Sequence, residues 1–191
     1  HVTQSQSISA NASIDLVAYT TDAQWEKRGM SFGLVTEARI DGKLAWRGIT
    51  RALAVGKSPL TAQQGKPHLR VIDSPKNPRI EQQIEVAENC GRRYARIAGD
   101  RNPIHQHALL ARFFGLKRAI VHGTWTLTRA LALAELPDSV SFKFNAAFLR
   151  PVELPSQIWV RAYRETGGLP AQVLVQNQAG TTNHLIVEFE E

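Results

Sequence analysis

Asp100 and His105 stand five positions apart, in a stretch that cannot be helical. The string Gly99-Asp100-Arg101-Asn102-Pro103-Ile104-His105 opens on the residue with the freest backbone. It then meets a proline, which fixes its own φ and pushes the residue before it towards extended geometry. The spacing predicts a stiff overhanging turn that holds a carboxylate and an imidazole towards one small volume. Such a pair suits general acid–base work on a water molecule. Asp and Asn are also ordinary turn residues, so the same letters would serve a capped loop without chemistry. What favours chemistry is that each punctuating residue falls where a rigid acid–base loop needs it.

Other candidate groups narrow the chemistry. His107 lies two positions beyond His105, but no cysteine or carboxylate completes a metal set with it, so no metal is expected. There is no nucleophile elbow and no Ser–His–Asp spacing, so covalent catalysis is not indicated. The single cysteine, Cys90, excludes an intrachain disulfide and sits at an expected helix start as a small buried residue. A Gly-rich phosphate loop is absent, and no redox cofactor is expected. His122 reads as a hydrogen-bonded structural histidine, and Thr126 and Thr128 as hydroxyls bonded back to their own helix.

Composition sets the outer bounds. At 191 residues, 43% hydrophobic and 21% charged, the chain has the make-up of a globular protein with a core of its own. Twenty-three Lys and Arg against 17 Asp and Glu leave a net charge of +6. That balance fits either a solvated basic surface or a polyanionic partner such as coenzyme A. The basic residues are dispersed and no nucleic-acid-binding signature accompanies them, so nucleic acid is not expected. No apolar run is long enough to span a bilayer and no signal peptide is evident, which leaves a cytoplasmic location as the expectation.

The elements that must position the pair follow from pattern. His1 to Ser9 is polar and expected to fray. Ile14 to Tyr19, Phe32 to Ile40 and Lys43 to Val55 read as strands, with Thr20 to Gly29 a long loop or bulged turn and Asp41-Gly42 a two-residue hairpin turn. Residues 56–79 are rich in Gly, Pro and polar fillers and read as a linker, with a short strand at Leu69 to Ile72. Ile84 to Ala87 should be a strand. Asn89 is placed to cap a helix from Cys90 to Ala98, and His107 to Phe114 forms another. Ile120 to Ala134 carries one formal charge, Arg129, and reads as a central helix buried on most sides. Val140, Phe142, Phe144, Ala146 and Phe148 alternate with smaller or polar residues and predict a strand with a core face. Gln157 to Arg164, Gln172 to Gln178 and Asn183 to Glu190 complete an antiparallel α+β layer.

The stretch Tyr94-x-x-Ile97-Ala98-Gly99-Asp100-x-Asn102-Pro103-Ile104-His105, with Ala111 and the later Ile120-Val121-His122-Gly123, resembles the signature of the MaoC-like, or (R)-specific enoyl-CoA hydratase (hydratase 2), family. The resemblance runs from about Ile84 to Glu191. One departure is Ala98, where the family more often has Ser, Thr or Gly. The resemblance implies an α+β hot-dog fold, a long helix wrapped by a curved antiparallel sheet. It places a catalytic unit at 80–191, preceded by a degenerate hot-dog-like sheet at 1–55. It also implies reversible hydration of trans-2-enoyl thioesters, carried on coenzyme A or acyl carrier protein, to (3R)-3-hydroxyacyl thioesters. By motif position, Asp100 and His105 fall on the catalytic pair, and the backbone N–H of Gly123 on the donor to the thioester carbonyl. Gly123 suits that role, since unpaired amides at a helix start face outward and a missing Cβ allows close approach. Asn102 would orient the water or His105, or cap the turn. Homodimers or pseudo-dimers of hot-dog units are expected, because an edge-rich sheet around one helix is rarely left open. A hot-dog acyl-CoA thioesterase and a non-catalytic acyl-CoA-binding module are the alternatives.

Overall fold

The computed structural model describes residues 1–59, 77–136, 141–163 and 170–190. The expected strand at Leu69 to Ile72, most of the expected linker, Val140 and Arg164 lie outside them. The chain divides into two compact units. One comprises His1–Arg70, Asp138–Asn145 and Glu190–Glu191, and the other Val71–Pro137 and Ala146–Phe189.

In the first unit, β1 (Val2–Gln4), β2 (Asp15–Glu26), β3 (Gly29–Ile40) and β4 (Lys43–Val55) are antiparallel. The β3–β4 turn is the expected one, with Asp41 and Gly42 at φ 50° and 76°. Two expectations fail here. The polar start does not fray, because β1 pairs with β4 through Val2, Thr3 and Gln4 opposite Gly48, Arg47 and Trp46. Backbone pairing does not depend on apolar side chains, so hydropathy gave no warning of it. Of the two readings of Thr20 to Gly29, the long loop fails and the bulge stands: β2 runs on to Glu26, with a register shift between Thr21 and Gln24 and Asp22 at φ 52°. A bulge of this kind keeps the ladder going across a residue that breaks the alternation. β2 is exposed along nearly all its length, which accounts for its polar content.

The second unit contains β5 (Ile80–Val86), α1 (Cys90–Ala98), α2 (Ala108–Phe113), α3 (Gly123–Leu133), the later residues of β6 (Phe142–Phe148), and then β7 (Ser156–Tyr163), β8 (Gln172–Asn177) and β9 (Asn183–Glu190). β8 lies between β7 and β9, and β5 pairs with β7 on its other side, all antiparallel. Val160, Ala162, Val173, Val175, Leu185 and Val187 are in register across three strands and are almost wholly buried. That row is the centre of the core.

α3 packs on β8. It starts three residues later than its apolar run, because Ile120 is held in an extended bridge opposite Glu153. Its buried stripe is Thr126, Ala130 and Ala134, at i, i+4 and i+8, while Trp125 and Leu127 are only partly covered. The helix is therefore buried along one side within this chain, and small residues on that side bring it close to the sheet. Asn89 precedes α1 but its side chain makes no capping bond. Phe148 departs from the core face expected for β6 and is 54% exposed, its ring lying beside Gly123. Among the described residues no helix is long and apolar enough to cross a membrane.

Candidate active site

α1 ends at Gly99, whose φ of 73° lets its N–H return to Ala95 O at 3.0 Å. This left-handed stop turns the chain straight into Asp100. The carboxylate then folds back on its own loop, Oδ1 accepting from Asn102 N–H at 3.0 Å. Asn102 repeats the device, its Oδ1 accepting from Ile104 N–H at 3.3 Å and capping a single 3-10 turn, Pro103–His105. Asx bonds of this type stiffen a turn through its own side chains. Of the two jobs open to Asn102, the cap is the one its carbonyl performs.

α1 also braces the loop from behind. Arg92 Nη1 donates to Gln106 O at 2.9 Å. Buried Gly91 lies so near the loop that a Cβ built on it would sit 2.0 Å from His105 O. On the other side runs the extended segment that leads into α3. Ile120 N–H donates to Ile104 O at 3.1 Å, Val121 N–H to Val152 O at 2.9 Å, and Leu154 N–H to Ala119 O at 2.8 Å.

Into this frame the two expected side chains converge. His105 is buried, and its Nδ1 lies 2.9 Å from Ile120 O. A carbonyl only accepts, so the proton is on Nδ1 and the Nε2 lone pair is free. Nε2 faces Asp100 Oδ2 at 3.9 Å. Burial pushes the His105 imidazole below its ordinary value; His122 lowers it further, while the Ile120 bond and Asp100 oppose the change. The Asp100 side chain is 53% exposed, so the pair sits at a boundary between core and solvent. His122 is 2% exposed and stacks on His105, with ring centroids 3.8 Å apart and planes at 26°. Its Nε2 donates to the backbone carbonyl of Asp100 at 2.9 Å.

A cavity of about 270 Å³ opens onto His105, walled by Ile120, Val121, Gly123, Thr126, Phe148 and other residues that include Arg150 and His184. Gly123 is the first residue of α3, where an amide has no intrahelical acceptor. A Cβ there would come within 3.1 Å of the Phe148 ring. Thr126 and Thr128 bond back to carbonyls of their own helix, as expected. His107 is the N-cap of α2, its Nδ1 accepting from Leu109 N–H at 3.3 Å. Burial pushes the Cys90 thiol up, away from the reactive thiolate.

Three wall residues were not singled out in the sequence. Alternation along β6 puts Phe148 on the core face, while Arg150 and His184 come from separate segments that Leu149 N–H and His184 O join at 2.9 Å. Gly91 was missed too, although an isolated glycine inside a helical pattern is the kind of signal that marks a close approach.

Asp100, His105 and His122 also bring one oxygen and two ring nitrogens within 4.8 Å of one another. The set does not fit a metal ion. His122 Nε2 and His105 Nδ1 are both committed as donors to carbonyls.

Residues 72–184 match the family model for the MaoC like domain. Over 187 residues the chain is 28% identical to 3-hydroxyacyl-thioester dehydratase X of Mycobacterium tuberculosis, covering 97% of this chain and 64% of that protein. The chain thus spans under two thirds of the length of that relative. The crystal structure of HtdX from Mycobacterium tuberculosis superposes with a TM-score of 0.78 at 25% identity, over 99% of this chain and 73% of that one. A MaoC-like dehydratase from Phytophthora capsici gives a TM-score of 0.72 at 13% identity, over 100% of this chain and 67% of that one, a likeness of fold alone. The fold is the α+β hot dog of these proteins. With more than half of its length inside the domain match, the chain belongs to the MaoC-like dehydratase family.

Proposed function

We propose that this protein reversibly hydrates trans-2-enoyl thioesters, carried on coenzyme A or an acyl carrier protein, to (3R)-3-hydroxyacyl thioesters. The observation that carries the reading is the 3.9 Å between His105 Nε2 and Asp100 Oδ2 beside the cavity. That is too long for a direct hydrogen bond, and both facing atoms are acceptors. A single water about 2.8 Å from each atom spans the gap and donates one hydrogen to either side. Its oxygen lone pairs are then left to face the cavity, where a β-carbon would lie.

Addition requires the water to lose a proton, the thioester carbonyl to be stabilised as it becomes enolate-like, and Cα to gain a proton. Asp100 and His105 supply the first and third steps as a coupled pair. The first amide of α3, on Gly123, supplies the second; losing such a donor typically costs about 2.7–4 kcal/mol of barrier. Chain length is set by the cavity walls, among which Phe148 closes over Gly123. Dimers or pseudo-dimers of hot-dog units are part of the same reading.

Mass analysis of the product tests it. Incubation of crotonyl-CoA with the protein should give a product heavier by one water with the thioester intact. Release of free coenzyme A with no hydrated thioester would sink the reading in favour of hydrolysis.

The pH dependence follows from His105. Its native imidazole titrates below the ordinary 6.5, because burial disfavours the cation. The neutral form needed to accept a proton therefore predominates at pH 7. kcat/KM should hold on acidification through 6.5 and fall only below it. Stability follows the same sign: the contribution is present above 6.5 and is lost as pH falls through the lower native value. An acid limb above 6.5 in the pH profile would contradict this.

A further inference from the structure

The two histidines are tied in a crossed pattern. His105, on the 3-10 turn, donates from Nδ1 to Ile120 O on the segment leading to α3. His122, on that segment, donates from Nε2 back to Asp100 O on the turn. Each side chain thus bonds the backbone that carries the other, and the rings stack face to face between the two bonds. Ile120 N–H to Ile104 O adds a third tie between the same two segments. Asp100 has no comparable brace of its own, since its Oδ1 bonds only within the turn. The carbonyl one bond from its Cα is what His122 grips.

With Nε2 protonated, His122 must leave Nδ1 as a lone pair, and that atom is buried without a hydrogen-bond partner. Burying an unpaired acceptor is unfavourable, and other side chains that donate one hydrogen bond would avoid it. A histidine kept here at that cost is doing more than filling space. Asp100 Oδ2 lies 3.8 Å from Nε2, so the ring also faces the carboxylate. Tyr94 on α1 is tilted against the same ring at 5.1 Å between centroids.

We infer that His122 is a positioning residue for the hydration proposed above: its Nε2–H fixes the Asp100 carbonyl, and its ring, stacked on His105, holds that imidazole in place, setting the gap in which the water is held. The inference rests on the hydratase reading for its kinetics but not for its geometry.

Three forms separate this role from mere packing. His122→Phe keeps the ring and the stack but removes the donor. It should lower kcat for crotonyl-CoA hydration by about 10²-fold, as a displaced catalytic group does, with KM little changed. His122→Gln restores a donor at similar reach. It should recover most of the lost kcat. A His122→Phe enzyme with wild-type kcat, or a His122→Gln enzyme no better than His122→Phe, overturns the inference.

If neither variant folds, nitrogen NMR of the wild-type histidines decides instead. The proton of His122 should be on Nε2 and that of His105 on Nδ1; the reverse tautomer at His122 overturns the brace. A wild type that binds but does not hydrate enoyl thioesters refutes the hydratase reading, while the NMR result still decides the brace.

Discussion

Asp100→Asn should abolish nearly all turnover and leave the fold intact. Asparagine keeps the Oδ1 acceptor, so the bond from Asn102 N–H that stiffens the turn survives. What changes is the atom facing His105: an amide NH₂ replaces Oδ2. It would donate to the Nε2 lone pair instead of accepting from water, closing the gap with the wrong polarity. A positioned acid–base group contributes about 10²–10⁴-fold, and the loss in kcat should fall in that range. The side chain is half exposed, so the melting curve should coincide with that of the wild type. Wild-type turnover by Asp100→Asn would remove Asp100 from the mechanism.

Gly91→Ala should damage both stability and activity, although the substitution improves helix propensity. Alanine gains about 1 kcal/mol over glycine inside a helix. Against this stands a Cβ placed 2.0 Å from His105 O, with the carbonyl carbon at 3.0 Å. Those atoms are backbone, so no rotamer change relieves the overlap, and α1 or the loop must shift. Overpacking of this kind costs about 1–3 kcal/mol and sometimes more. A Cβ at 2.0 Å from backbone puts the cost at the upper end of that range, so net destabilisation of up to about 2 kcal/mol is expected in denaturant unfolding. Any shift is passed to His105, so kcat/KM should also drop by about 10–10²-fold. A Gly91→Ala enzyme more stable than wild type would show that α1 is not pressed against the loop.

How far the sequence could be read depended on whether a feature was local. The Gly99 stop, the Asp100 turn, the Asp41-Gly42 hairpin and the start of α1 are each set by a few neighbouring residues, and each is where its letters put it. β7, β8 and β9 followed from alternation, and they pair in sequence order. What stayed hidden was decided across space. β1 exists because β4 offers it a backbone ladder, which no property of Val2-Thr3-Gln4 announces. Phe148 sits in an alternating run but faces the cavity, because Gly123 leaves room beside it. His184 and Arg150 meet across 34 positions, through backbone bonds from Leu149 and Arg150 N–H to His184 O and a contact of His184 Nδ1 with Arg150 O. His122 was legible as a structural histidine, but the carbonyl it holds, 22 positions earlier, was not.

The most direct measurement follows the enoyl-thioester absorbance of crotonyl-CoA with wild type and His105→Ala side by side. His105 supplies the acceptor on the buried side of the water, and no other described side chain offers a free imidazole lone pair to Asp100 Oδ2. The account predicts steady loss of absorbance with wild type and a rate lower by about 10²–10⁴-fold with His105→Ala. Equal rates for the two proteins would contradict it, by placing the chemistry somewhere other than the Asp100–His105 turn.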